Sequence, residues 1–177
     1  INPNGAIRNF TNVTVTATDG SNATRTESFD IAVQDKDVTS VYVNFTDGAI
    51  TAAKPWNNFT AQPYANASLT NLKDGADQNT GLSVTLVNGF QWYVAGGMRS
   101  GEGKAIYPDN VVRTHLYESS TATRTVRVAG LSQSKRYNFV FFNSHEDGFK
   151  GLTNFTINGT TVSLNGTYNQ DKTVQIN

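Results

Sequence analysis

The sequence has no cysteine, one methionine and four prolines, and only 16% of its 177 residues are charged. Without thiols, disulfides, thiolate metal sites and cysteine catalysis are excluded together. Basic and acidic side chains number 14 each, so the formal net charge is zero and no electrostatic footprint exists for a nucleic-acid backbone or an anionic membrane. No apolar run approaches the roughly 18 residues of a spanning helix, so membrane insertion is not expected. The opening Ile1-Asn2-Pro3-Asn4-Gly5 lacks the basic start and apolar stretch of a signal peptide, which reads as a mature or excised chain. Catalytic signatures are missing too: there is no Gly-x-Ser-x-Gly elbow, His-Glu-x-x-His helix, phosphate loop or Gly-x-Gly-x-x-Gly after a strand. The expectation is a protein that is not an enzyme.

What the chain does hold is small polar residues: 20 Asn, 23 Thr, 12 Ser and 15 Gly, together 70 of the 177. Asn and Ser compete with helical hydrogen bonding, Thr is β-branched and Gly is costly in helix interiors, so this bias favours strands and turns. Helix is expected in under about a tenth of residues, since no segment sustains a 3.6-residue apolar period. Hydrophobic residues make up 37%, with 10 Phe, 7 Tyr and 2 Trp, enough to fill a core. Nine Asn-x-Ser/Thr triplets, at Asn9, Asn12, Asn22, Asn44, Asn58, Asn66, Asn154, Asn158 and Asn165, follow from this composition and are not read as nine glycans.

Two alternating runs, Val13-Thr14-Val15-Thr16-Ala17 and Phe29-Asp30-Ile31-Ala32-Val33, flank the turn residues Asp19-Gly20-Ser21-Asn22 and predict a β-hairpin within residues 1–36. A lone hairpin is marginal in water, so this segment needs a larger partner. After the charged junction Gln34-Asp35-Lys36-Asp37 the pattern restarts, giving a second domain over 37–177. Strands are expected at Val41–Phe45, Leu82–Val87, Thr125–Val128, Tyr137–Phe142, Phe155–Ile157, Val162–Leu164 and Val174–Ile176, a spacing that suits an antiparallel β-sandwich. Asn158-Gly159 between apolar runs predicts a tight hairpin, because both central residues of a type I′ turn need φ > 0. Tyr137–Phe142 is expected to be a central strand covered on both faces.

Residues 48–72 and 95–110 read as long loops, and loops of that length on a rigid scaffold are where binding groups concentrate. They hold Trp56, Tyr64, Met98, Arg99 and Tyr107. Trp56, between Pro55 and Asn57-Asn58, offers a flat apolar face beside amide donors and acceptors, as sugar recognition requires; its other reading is a buried loop anchor. Trp92, in alternation with Phe90, reads as core. The ligand-binding set expected from the loops is therefore Trp56, Asn57, Arg99, Tyr107 and Asp109, with His145 as an outlying member. Around it, His145-Glu146-Asp147 is the densest titratable cluster, but neighbours on an extended segment point to opposite faces, so a solvated turn is preferred. Asp74 and Asp77 lack the spacing of a full calcium loop and read as a hairpin turn. The glycines at Gly96-Gly97, Gly101 and Gly103 read as structural turns.

The hairpin region resembles the last two strands of cadherin-like or immunoglobulin-like repeats of bacterial surface proteins. From Val41 onward, Pro55-Trp56-Asn57-Asn58, Asn71-Leu72-Lys73-Asp74, Tyr107-Pro108-Asp109-Asn110-Val111, Gly130-Leu131-Ser132, Lys135-Arg136-Tyr137-Asn138-Phe139 and Ile157-Asn158-Gly159-Thr160 together resemble a galactose-binding-like, jelly-roll β-sandwich module of large secreted proteins of Bacteroidetes-like bacteria. The resemblance implies an all-β fold, a chain cut inside longer neighbours at both ends, and a secreted or cell-surface location. It also implies no cofactor beyond a structural calcium ion held elsewhere in such modules. The function expected is a non-catalytic carbohydrate-binding or adhesion module, with a polysaccharide or surface glycan and neighbouring domains of the same chain as partners. The alternatives are a purely structural repeat of an adhesin, filament or stalk, and an accessory domain of a hydrolase.

Overall fold

The computed structural model describes residues 9–32, 39–99, 101, 103–146 and 151–177. Val33, the junction at 34–37 and Asp147, all named in the sequence expectations, lie outside them, as does the opening segment 1–5. The fold is all-β: thirteen strands and one five-residue helix among the described residues. None of the described helices is long and apolar enough to cross a membrane. The chain divides into two compact units between Thr39 and Ser40.

The first unit is the expected hairpin, β1 (Asn9–Thr18) paired antiparallel with β2 (Thr24–Ala32). Its turn is built by Asp19, whose Oδ1 accepts the N–H groups of Ser21 and Ala23 at 2.8 and 2.9 Å, while Asn22 takes the left-handed conformation with φ 62°. A bulge between Phe10 and Val13 is closed by Asn12 N–H donating to Asp30 Oδ1 at 2.9 Å.

The second unit contains β3 (Tyr42–Phe45), β4 (Trp56–Phe59), β5 (Ser68–Leu69), β6 (Ser83–Leu86), β7 (Trp92–Val94), α1 (Asp109–Arg113), β8 (His115–Tyr117), β9 (Val126–Ala129), β10 (Phe139–Phe141), β11 (Leu152–Ile157), β12 (Thr160–Asn165) and β13 (Val174–Ile176). β5, β6 and β9 form an antiparallel sheet in that order, and β7–β8, β10–β13 and β11–β12 are antiparallel pairs. The Asn158-Gly159 turn joins β11 to β12 with φ of 48° and 79°, as its residues require. Phe59, Leu72, Val84, Leu86 and Tyr93 form the core, with Val43, Phe45, Leu69, Leu116 and Val128 packed against them.

Three expectations are corrected. The strand pairing is not purely antiparallel, because β3 and β4 pair in parallel, Tyr42 against Trp56 through Phe45 against Phe59. Residues 48–72 are not one loop, because β4 and β5 lie within them. β4 escapes a periodicity search because its two central residues are amides that bond sideways. Asn58 Oδ1 accepts from Asn44 Nδ2 at 3.0 Å and from Ala52 N at 2.9 Å, and Asn58 Nδ2 donates to Ala52 O at 2.8 Å. The buried Asn44 completes the network, accepting at Oδ1 from the buried Thr114 hydroxyl at 3.0 Å. The third correction concerns Tyr137–Phe142. Its strand is limited to Phe139–Phe141 and pairs with β13 alone among the described residues. The alternation holds, with Phe141 stacked on Phe155 at 4.3 Å, but Val140 on the opposite face is 52% exposed.

Replacing Asn58 by Ala strips Asn44 Nδ2 and both Ala52 backbone groups of their Asn58 partner in a covered region, so a loss of about 2 to 4 kcal/mol is expected in chemical denaturation. Asn154→Ala, which removes one exposed cross-strand bond from Ser163 Oγ at 2.7 Å, is the control and is expected to cost less than about 1 kcal/mol.

Candidate functional site

Trp56 stands on β4 with its ring half-buried between Tyr42 (centroids 5.2 Å) and Tyr107 (5.3 Å, edge-on), and Tyr107 in turn meets Phe142 at 5.1 Å. The rings are thus in tilted or edge-on contact with one another. Burial pushes the Tyr107 hydroxyl pKa up. Asn57 is committed within the chain: Nδ2 donates to the carbonyls of Tyr42 and Lys73 at 2.9 and 2.8 Å, and Oδ1 accepts the Lys73 N–H at 2.8 Å. Asp109 opens α1 and accepts from Gly101 N at 3.1 Å. Arg99 lies 3.9 Å from Glu146 with both side chains largely in solvent. The structure therefore joins Trp56 to Tyr107 and sets Arg99 beside the residue after His145, while Asn57 serves the Lys73 turn.

The expected turn at Asp74 is present, its Oδ1 accepting from Ala76 N and Gln78 N at 2.9 Å each, with Lys73 and Asn79 bridged. Asp77 is held by Lys54 and Lys73 at 2.5 and 3.1 Å, and those two ammonium groups lower its pKa. Among the described residues no group of three His, Asp or Glu is arranged to hold a metal ion.

The chain's two histidines come together, His115 of β8 and His145 with ring centroids 5.4 Å apart. His115 Nδ1 is buried without a hydrogen-bond partner among the described residues. Burial first, then the neighbouring His145, pushes the His115 pKa down from 6.5 to about 4. His145 pins its surroundings through the backbone, donating to Gly166 O and accepting from Tyr168 N at 2.7 Å each.

A different surface carries the accessible groups. Between the 63–65 turn, the 89–91 turn and the 118–124 loop lies an open cleft of about 610 Å³, a volume in the range of small-ligand sites. Tyr64, 66% exposed, forms one rim. It is held by its neighbours: Pro63 is fully buried and its carbonyl accepts Phe90 N–H at 2.8 Å. Gly89 allows the two turns to meet, since a Cβ there would sit 3.1 Å from Ala65 N and Pro63 O. Opposite Tyr64, Gln91 Oε1 accepts from Ser119 N and Oγ at 3.2 and 2.6 Å. Glu118 Oε1 accepts from Ser120 N and Oγ at 3.1 and 2.8 Å, and its Oε2 accepts from Arg124 Nε at 2.7 Å and Nη2 at 2.5 Å. The Ser120 bonds chiefly, with Arg124 adding to them, hold the Glu118 pKa down, so the carboxylate stays ionised.

Sequence reasoning passed over this cleft. Its one signal was a polar loop between strands, Glu118-Ser119-Ser120-Thr121-Ala122-Thr123-Arg124, with opposite charges at its two ends. Trp92, expected in the core, is 55% exposed, and Tyr93 is the buried residue. A bend between Leu86 and Trp92 shifts the alternation by one. No family model, curated protein or solved structure matches the chain.

The His115 shift fixes a pH dependence. The folded chain keeps His115 neutral where the unfolded chain already takes up a proton, so this contribution is intact above about pH 6.5 and is lost as pH falls toward about 4, by up to about 3 kcal/mol. Denaturation curves at pH 7, 5.5 and 4.5 are expected to show that decline, and His115→Phe is expected to flatten it over the same window. An unchanged slope in the variant would place the proton uptake elsewhere.

Proposed function

We propose that this chain is a non-catalytic carbohydrate-binding or adhesion module of a large secreted or cell-surface protein. The observation that carries the reading is the cleft beside Tyr64. It combines an exposed aromatic face with amide, hydroxyl and guanidinium groups, the pairing that covers the C–H face of a sugar ring while bonding its hydroxyls. Preorganisation of the backbone supports it further, because the Pro63 anchor and the Gly89 contact fix the segment that carries Tyr64 before a ligand arrives. The finer fold reading is a galactose-binding-like jelly roll, supported by the resemblance of the segments from Val41 onward and by the largely antiparallel strand pairs. The ligand surface on this reading is the Tyr64 cleft rather than Trp56, whose ring is occupied by Tyr42 and Tyr107.

The structural-repeat reading has one observation in its favour. Val15 and Phe29, on one face of the first hairpin, are 57% and 48% exposed, an apolar surface suited to a neighbouring domain of the same chain.

A glycan array with the native chain and Tyr64→Ala separates these readings. A binding module is expected to retain defined glycans and to lose about 1 to 3 kcal/mol of affinity in the variant, by analogy with bases stacked on aromatic side chains. Its melting temperature should be unchanged, because Tyr64 is exposed. Absence of binding to any plant, algal, host or bacterial polysaccharide would favour the structural repeat.

A further inference from the structure

We infer that the Tyr64 cleft takes an uncharged polysaccharide, bound along its length, and not a uronate or sulfated one. This rests on the carbohydrate-binding reading and adds the ligand class. Glu118 and Arg124 are the two charged residues of the lining, and they neutralise each other across two contacts to one carboxylate oxygen. An anionic sugar would therefore meet no unpaired cation in the lining to offset the cost of desolvating its own carboxylate or sulfate.

The unspent hydrogen-bonding capacity has the same character. Each Glu118 oxygen already accepts two bonds, which saturates the carboxylate. Gln91 uses its carbonyl oxygen on Ser119, so the two N–H groups of Nε2 remain, and Arg124 keeps those of Nη1; neither makes a hydrogen bond among the described residues. What faces a ligand is thus a set of N–H donors beside an aromatic face, with the guanidinium charge already met by Glu118, and such donors suit the hydroxyl and ring oxygens of a neutral pyranose. The cleft is open rather than walled, which admits the interior of a chain and does not require a chain end.

The test uses the full chain with two panels, neutral β-glucan, mannan, xylan and galactan oligosaccharides, and anionic polygalacturonate, alginate and sulfated galactan, by calorimetry. The expected result is binding to a neutral member that changes less than about twofold between about 50 mM and 0.5 M NaCl and weakens about tenfold or more in both Tyr64→Ala and Gln91→Ala. Selective, salt-sensitive binding of the anionic panel overturns the ligand class while leaving the carbohydrate reading standing. Neutral binding untouched by both substitutions overturns the site. No binding to either panel overturns the class and the reading together.

Discussion

Asn44 and Asn58 stand directly opposite each other in the parallel β3–β4 pair, and their side-chain amides bond across it at 3.0 Å. This register decides how the connecting segment must be held. A parallel pair needs its connection to cross back, and residues 46–55 do so without a helix, so their backbone groups need other partners. Asn58 supplies them, bonding both the N–H and the C=O of Ala52. The buried Thr46 secures the start of the same crossover, its hydroxyl donating to Ile50 O at 2.6 Å. Thr114, after α1, ties Asn44 to a segment 70 residues away. A buried network of this kind is stabilising because every member is satisfied, and a one-residue slip would leave several amides unpaired at once.

The same arrangement leads to the cleft. Phe59, at the end of β4, is fully buried in the core. Just beyond it, Ala61 O accepts from the Tyr93 hydroxyl at 2.7 Å. Burial, with Asp47 adding to it, pushes the Tyr93 pKa up to about 12, so this hydroxyl remains a donor at any ordinary pH. Pro63 comes next, buried, and Tyr64 emerges from that anchored strip into solvent. The chain thus uses its aromatic residues in two ways. Trp56 packs on Tyr107 and Tyr107 on Phe142, while Tyr64 stands on an anchored backbone with its ring left uncovered.

Elements with a local cause were legible in the sequence. The Asn158-Gly159 hairpin arises from two residues that tolerate positive φ, and the first hairpin from alternation around Asp19. The Asp74 turn was legible for the same reason, since an aspartate oxygen meets N–H groups two and four residues on. Elements whose cause is distant were not. Trp56–Phe59 is a strand because its amides find Asn44, Ala52 and Lys73, none of which a periodicity search weighs. Trp92 changed face because a bend reset the alternation. The exposure of the candidate aromatic residues was hidden for a related reason: it depends on what the fold brings over each of them. Trp56 is half-buried beside Tyr107 while Tyr64 stays in solvent, and the sequence ranks them in the opposite order.

The central claim is that the ligand surface lies at the Tyr64 cleft and not at the Trp56–Tyr107 contact. Amide chemical shifts of the isotopically labelled chain, monitored while a neutral oligosaccharide is titrated in, test it most directly. The account predicts changes centred on Tyr64, Gln91, Ser119 and Ser120, with Trp56 and Tyr107 unmoved. Shifts centred on Trp56 and Tyr107, or none at saturating sugar, would contradict it.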